Sequence, residues 1–350
     1  MKVLFYSYPS AFQNPGGGEI QLLKTKEHLE KMGVSVRFFD QWQDKFDDFD
    51  VLHIFGSVKD CVGLMQTAKN KGIKIALSTI FWSSFERALH EGGSSAKKME
   101  LFARHLAKLA LPWLPSGRRR TMSLSDVLFP NSNMEKEQLA RLFAMPRQKM
   151  KVVPNGIDRK FLEARLEAFV EKFGIKDFVL TVGRIEPRKN QLNLIRALKL
   201  SGLKLVIVGD AVSEYMSYYD QCRQEADQNV VFIDGIGHES DLLPSAYAAC
   251  SVFVAPGWFE TPGLAALEAA AAGAALAVTR GGCTSEYFGG DVAYFDPSDV
   301  QQIRQAVQEA GQIDEARKKS LRDRIKENYL WENVADQTLR GYESMLKGDI

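Results

Sequence analysis

"FVLTVGRIEPRKNQLNLIRAL", Phe178–Leu198, holds the unit from which the fold is read. Phe178–Val182 is a short β-rich run, Gly183–Asn190 turns around Pro187, and Leu192–Leu198 has the apolar spacing of a helix. Strand, turn and helix in this order make one α/β unit, and the chain repeats that unit from end to end. Parallel sheets with helices on both faces follow from such alternation.

Working outward, the second half carries further strand candidates at Lys204–Val208, Val230–Ile233, Val252–Ala255, Ala275–Val278 and Val292–Phe295. The first half has them at Lys2–Tyr8, Ser35–Phe39, Val51–Phe55, Ile73–Thr79, Val127–Pro130 and Met150–Val153. Ile20–Met32 is a helix whose Ile20, Leu22, Leu23, Leu29 and Met32 form an apolar stripe, ended by Gly33. Two successive α/β series of similar size predict two Rossmann-like domains with a cleft between them. The boundary falls near "VVPNGIDRKF", Val152–Phe161, where Pro-Asn-Gly marks a turn. Tyr329–Leu346 is a closing amphipathic helix.

Composition bounds the function. A chain of 350 residues with 45% apolar and 25% charged residues is a soluble globular type long enough for two cores. A net charge of +1 supplies no field to recruit nucleic acid. The opening "MKVLFYSYP" has an apolar run too short for a signal core or a membrane span. Cys61, Cys222, Cys250 and Cys283 lack the spacing of a zinc site or disulfide framework, which points to a reducing cytoplasm and to no metal. One segment leaves the alternation: Met99–Arg120 combines Leu101, Phe102, Leu106, Leu109, Leu111, Trp113 and Leu114 with Arg104, Lys108 and Arg118–Arg120. It reads either as an ordinary helix followed by a solvated basic loop or as a peripheral contact with an anionic membrane.

Two stretches carry the chemistry. In "TVGRIEPRKN", Thr181–Asn190, Arg184 and Lys189 flank a strand-end turn, placed to neutralise a diphosphate. In "WFETPGLAALEAAAAG", Trp258–Gly273, Thr261 and Pro262 read as the start of a helix. Amides at Gly263 and Leu264 then form an anion site backed by the helix dipole. Glu268 lies six residues beyond Pro262, about 9 Å along the axis, an offset that suits ribose hydroxyls while the diphosphate sits at the helix end. Glu260 points into the same cavity from the other side. The plainer alternatives are a loop carboxylate for Glu260, a solvated helix face for Glu268 and surface charges for Arg184 and Lys189. In the first half "GGGE", Gly16–Glu19, precedes a helix, so exposed amides at Gly17 and Gly18 are expected, a flexible loop being the alternative.

With these pieces in order, the sequence resembles the family 4 glycosyltransferases, of the GT-B fold: two Rossmann-like domains whose parallel sheets face across a cleft. The resemblance rests on "NGID" (Asn155–Asp158), "GRIEPRK" (Gly183–Lys189), Asp234–Gly273 with its E-x7-E pair, "GGCTSEYF" (Gly281–Phe288) and Tyr329–Leu346. It implies an N-terminal acceptor-binding domain over 1–157, a nucleotide-sugar-binding domain over 158–328 and a helix over 329–350 crossing back to the first. It also implies retaining transfer from a nucleotide diphosphate sugar, with no protein-bound metal or other cofactor. Carried over by position, Arg184 and Lys189 bind the diphosphate, Glu268 the ribose, and Glu260 lies near the donor sugar ring. The backbone of Gly235 and Ile236 holds the base; Phe259, Glu260, Thr261, Gly263 and Leu264 hold phosphates and sugar hydroxyls; Gly17 and Gly18 approach donor phosphate or acceptor. The leaving phosphate takes the acceptor's proton in the mechanism proposed for retaining members, so no protein nucleophile is required, and domain closure would exclude water.

The departures from the family pattern concern histidines after the third and fourth strands. His53 lies inside "VLHIFGS" and reads as a core residue, while "LSTIFWSSFERAL", Leu77–Leu89, has none. Ser78, Thr79, Trp82 and Ser83 become candidates for contacts to the donor sugar or the acceptor, with Thr79, Trp82 and Ser83 taken as the acceptor-binding set. A nicotinamide oxidoreductase is disfavoured because no GxGxxG follows the first strand. A sugar-nucleotide epimerase and a non-catalytic nucleotide-sugar-binding scaffold are the remaining alternatives. The acceptor is expected to be a glycan or lipid-linked, at the inner face of a membrane.

Overall fold

The structure is a computed structural model that describes residues 1–9, 11–13, 16–56, 61–90, 95–261 and 263–349. The chain divides into two compact units, one of Met1–Ser83, Ala103–Gly156 and Trp331–Ile350, the other of Ser84–Phe102 and Ile157–Leu330. The first has five strands: β1 (Lys2–Tyr6), β2 (Ser35–Phe38), β3 (Val51–Phe55), β4 (Lys74–Ser78) and β5 (Val127–Phe129). They pair in parallel in the order β2-β1-β3-β4-β5. Leu4, Leu52, Ile54, Ile75, Leu77 and Leu128 pack one face of this sheet against Met65, Met122, Leu139 and Phe143.

The helix Trp331–Lys347 belongs to this unit and buries Trp331, Val334, Tyr342 and Met345. It can lie close because Gly341 has no side chain: a Cβ there would stand 2.5 Å from Phe129 Cε1. Tyr342 reaches His53, whose Nδ1 is 2.5 Å from the phenol oxygen and whose Nε2 is 2.9 Å from Ser78 Oγ. Burial pulls the His53 imidazole down to about 3, so it is a neutral core residue with both nitrogens engaged. Met150–Val153, expected as a strand, forms only the single bridge Leu128↔Met150. Lys151 and Val153 still donate to Leu128 and Pro130, but Pro130 and Pro154 have no N–H with which to continue a ladder.

The second unit has six strands: β6 (Phe178–Val182), β7 (Leu205–Val208), β8 (Val230–Ile233), β9 (Cys250–Ala255), β10 (Ala275–Thr279) and β11 (Ala293–Phe295). All pair in parallel in the order β11-β10-β9-β6-β7-β8. Period-two alternation divides them between two cores. Phe178, Leu180, Val206, Val208, Phe253, Leu276 and Val278 enter one layer; Val179, Leu205, Ile207, Val252, Val254, Ala275 and Ala277 enter the other. Apart from Met150–Val153, every predicted strand is present, its ends displaced by no more than two residues.

This order places the first strand of the unit, β6, beside its fourth, β9, so the chain leaves β6 and β9 toward opposite faces of the sheet. Ligands of such sheets bind outside the carboxyl ends of the strands at that reversal. The loops concerned are Gly183–Asn190 after β6 and Pro256–Gly263 after β9. Among the described residues no helix is long and apolar enough to cross a membrane.

Candidate active site

Long-range hydrogen bonds zip the β6 and β9 loops together. The Trp258 amide donates to Arg188 O (3.1 Å) and its indole N–H to Pro187 O (3.1 Å). Asn190, held at φ 54°, donates through Nδ2 to Pro256 O (3.0 Å) and Pro297 O (2.9 Å). Asn is among the few residues that adopt this left-handed conformation readily, and here it ties three strand-end loops to one another. Lys189 precedes it in a single 3-10 turn, Pro187–Lys189, and its Nζ lies 2.7 Å from Glu260 Oε1.

Glu260 is 5% exposed. Its backbone pairs with the loop after β10: the Glu260 amide donates to Gly281 O, Glu260 O accepts from the Cys283 amide, and Glu260 bridges Gly282. Gly282 permits the approach at φ 93°, since a Cβ there would stand 2.0 Å from Glu260 O. The extended pairing corrects the expected helix start. Thr261 caps nothing; the helix is Leu264–Ala271, preceded by Gly263 at φ 85° and ψ 75°, while Pro262 lies outside the described residues. A chain paired as a strand at Glu260 must turn before it can coil, and the glycine makes that turn. Gly263, Lys189 and Glu260 line one small cavity with Thr181, Gln191 and Ala266.

The electrostatics of this cavity are those of a largely buried ion pair. Desolvation pulls the Lys189 ammonium below its ordinary value, and the Glu260 carboxylate only partly restores it. Arg184 stands at the solvent-facing end of the same loop, its side chain 43% exposed and 3.7 Å from Glu186 Oε1. Its carbonyl accepts from Gln191 Nε2 (2.9 Å). Arg188, which sequence reasoning passed over, pairs with Glu186 (3.1 Å) and lies over the Phe259 ring at 5.6 Å.

Glu268 sits in the second turn of Leu264–Ala271, 4% exposed rather than solvated. Its Oε1 is 3.0 Å from His238 Nε2, and its Oε2 accepts from the Tyr247 hydroxyl at 2.9 Å. Neither partner was foreseen; a histidine three residues beyond Gly235 was the available signal. Gly235 is exposed and donates its amide to Asp210 Oδ1 (2.8 Å). Ile236 is half-buried against the core; Phe259 is buried; Thr261 and Leu264 are half-buried. Lys189, Glu260, Gly263, Phe259 and Glu268 are thus on the loops or helix that leave β6 and β9, while the Arg184 guanidinium is paired with Glu186 and is not among the residues lining the cavity.

In the other unit Gly17 and Gly18 open the helix Gly17–Lys31, where Glu19 Oε2 accepts from the Gly16 amide (2.8 Å) and Glu19 Oε1 from the Tyr8 hydroxyl (2.8 Å). Thr79 is fully buried, and its hydroxyl is spent on Glu135 Oε1 at 2.5 Å rather than presented at a surface. Ser83 Oγ is 2.8 Å from His105 Nδ1, and Trp82 is half-buried. Between Thr79 and Phe81, Ile80 takes φ 42°, a strained conformation for a β-branched residue. Glu135 holds the segment from both sides, accepting from Thr79 and from the Phe81 amide (2.7 Å) as well as from the Asn131 amide (2.7 Å). Burial outweighs these bonds and pushes the Glu135 carboxyl up to about 7. Among the described residues no group of three or more His, Cys, Asp or Glu is arranged to hold a metal ion.

Comparison with known proteins gives the family and the fold. A family model described as "Glycosyl transferases group 1" matches residues 165–329, and one described as "Glycosyltransferase Family 4" matches residues 34–161. An uncharacterized glycosyltransferase of Methanocaldococcus jannaschii is 29% identical over 228 residues, 59% of this chain and 57% of that one. The match spans 57% of that relative's length, 24% of the mannosyltransferase WbdA of Escherichia coli and 64% of the O-antigen chain mannosyltransferase B of Escherichia coli. Among solved structures, sucrose-phosphate synthase of Thermosynechococcus elongatus superposes with a TM-score of 0.76 at 16% identity, covering 99% of each chain. Anabaena HepE in complex with UDP-glucose does so with a TM-score of 0.73 at 17% identity, covering 98% of this chain and 100% of that one. The two family models follow one another along nearly the whole sequence, each on one sheet of the GT-B fold, and the chain belongs to the family 4 glycosyltransferases.

Proposed function

We propose that the protein is a retaining glycosyltransferase that moves a hexosyl group from a nucleotide diphosphate sugar to a hydroxyl of a glycan or lipid-linked acceptor, without a protein-bound metal or other cofactor. The observation that carries this reading is the Lys189–Glu260 pair at 2.7 Å, set with Gly263 around one cavity at the β6/β9 reversal. A diphosphate offers Lys189 a second anionic partner, Arg184 can fold onto its outer oxygens, and the first amides of Leu264–Ala271 complete the cradle. Glu260, relieved of part of its ion pair, then faces the anomeric carbon, where positive charge builds as the bond to the diphosphate breaks. The electron pair of that bond leaves with the phosphate. The acceptor oxygen bonds to the same face of the sugar, and its proton passes to the departing phosphate oxygen. HepE, of the same fold, binds UDP-glucose, which supports a nucleotide-sugar donor. Calorimetric titration with UDP-, GDP- and ADP-sugars tests the reading: one donor binds, and NMR of the product shows the donor's anomeric configuration retained. Binding of no nucleotide sugar, or inversion, overturns it.

The site of action is proposed to be the inner, cytoplasmic face of a membrane, in envelope glycan synthesis. The helix Ser95–Ala110 leaves Met99, Phe102 and Leu106 exposed at helical spacing, and Leu111, Trp113 and Leu114 are exposed just beyond it. Of the basic residues nearby, Arg104 and Arg120 are exposed, whereas Arg118 lies over the Phe81 ring (5.1 Å) and Arg119 Nε donates to Phe143 O (3.1 Å). An apolar face flanked by exposed cations fits an anionic bilayer. Leu106→Glu with Trp113→Ser should lower the fraction sedimenting with phosphatidylglycerol vesicles at least about tenfold, since each large apolar side chain buried is worth about 1.5–3 kcal/mol. Equal sedimentation of wild type and variant removes the membrane from the proposal.

A further inference from the structure

Glu268 is the one charged side chain in a helix otherwise made of leucine and alanine, and it is buried with both of its oxygens already engaged. A buried carboxylate needs partners, yet the partners here are of an unusual kind. One is the phenol of Tyr247, fully buried on the helix Leu242–Ala249; burial raises its pKa well above the ordinary value, so it remains a donor at any working pH. The other is His238, on the loop that leaves the carboxyl end of β8. Desolvation opposes its protonation, but the hydrogen bond and charge of Glu268, with Asp158 beyond, prevail and raise the imidazole above its ordinary value.

His238 is itself held from several sides. Its carbonyl accepts from Lys160 Nζ, and its ring lies 5.7 Å from that of Phe161, which Lys160 also overlies. Its Nδ1 faces Asp158 Oδ2 at 3.9 Å and Glu239 Oε1 at 3.8 Å, so acidic groups stand near both ring nitrogens. Two donors on two different elements therefore engage one oxygen each of Glu268. An ionised carboxylate has about four lone-pair sites. One is taken on each oxygen, which leaves each oxygen able to accept from one of the two hydroxyls of a ribose.

We propose that His238 and Tyr247 are positioning residues that hold Glu268 as the reader of a ribose 2′,3′-diol, so that the donor site separates ribonucleotides from 2′-deoxyribonucleotides. The inference rests on the reading that the donor nucleotide binds along the helix Leu264–Ala271. Loss of either grip lets the carboxylate rotate, and the hydroxyl-specific part of the binding is lost while phosphate and base contacts persist. A purely structural role for the two residues would weaken ribo and deoxyribo ligands alike.

The test is calorimetric titration of UDP, GDP and ADP and their 2′-deoxy counterparts against the whole chain, as wild type, Tyr247→Phe, His238→Ala and His238→Gln, with thermal melts to confirm folding. The wild type should bind the preferred ribonucleotide at least about tenfold more tightly than its deoxy analogue, the worth of one well-made hydrogen bond to a charged group. Tyr247→Phe and His238→Ala should each reduce that ratio at least about threefold, almost entirely through the ribonucleotide. His238→Gln, which keeps an N–H donor, should recover part of it. A wild-type ratio near unity, or a ratio unchanged in both folded variants, overturns the inference and leaves the donor reading standing. Binding of none of the diphosphates to the wild type overturns both.

Discussion

Glu260→Gln lowers kcat by about 10²–10³-fold, the usual consequence of removing one charged group aimed at developing charge in the transition state, while the Kd for the nucleotide diphosphate stays within about threefold. The expectation follows from geometry. Glu260 does not rest on the helix Leu264–Ala271; its backbone is paired with Gly281 and Cys283, and its carboxylate is turned toward Lys189. In the proposed donor pose, with the diphosphate on Lys189, a group so placed meets the sugar end. Glutamine keeps the shape and can still accept from Lys189, which limits the cost of leaving the ammonium without its carboxylate. Steady-state kinetics with the preferred donor, together with titration of the free diphosphate, separate the two effects. A variant that binds the diphosphate at least about tenfold more weakly and turns over the bound donor at the wild-type rate would show that Glu260 serves binding alone.

The sheets were legible because each strand is a short apolar run with turn residues at both ends. In β6, Phe178 and Leu180 alternate with Val179 between two cores, a period that local sequence displays without help from the rest of the chain. What escaped is what depends on partners far away. The start of Leu264–Ala271 could not be placed from Thr261 and Pro262, because it is decided by pairing of Glu260 with Gly282, and the capping preference of Thr261 loses to that pairing. Lys189 and Glu260 were each assigned to the donor, but nothing local shows that Asn190 and Trp258 would draw their loops into contact.

The same reasoning explains the unforeseen partners of Glu268. A glutamate in an alanine-rich run is visible as an anomaly, whereas the two residues that grip it come from the β8 loop and from Leu242–Ala249, where His238 and Tyr247 carry no motif of their own. Thr79 shows the converse. It reads from the sequence as a candidate for donor-sugar or acceptor contacts, whereas the structure commits its hydroxyl to Glu135, 56 positions later in the chain.

Lys189→Met should be the most damaging single change in the second unit, and its two consequences can be pulled apart. In the proposed donor pose, removal of the ammonium strips the diphosphate of its most buried cation, so kcat/KM for the donor is expected to fall by about 10³-fold. It also leaves Glu260 buried with no opposing charge; part of the Lys189 side chain reaches solvent, so the destabilisation is set at about 1–3 kcal/mol, below the range for a fully buried pair. Adding Glu260→Gln in the same chain removes the orphaned charge and should return most of that stability, because a buried neutral amide costs far less than an unpaired carboxylate. It cannot return activity, since neither the cation for the phosphate nor the carboxylate for the sugar is then present. Denaturant midpoints and kcat/KM measured on wild type, both single variants and the double variant form a closed cycle. Stability recovered without turnover is the expected outcome; turnover recovered along with stability would mean that the pair holds the loops in place and contributes no charge to the reaction.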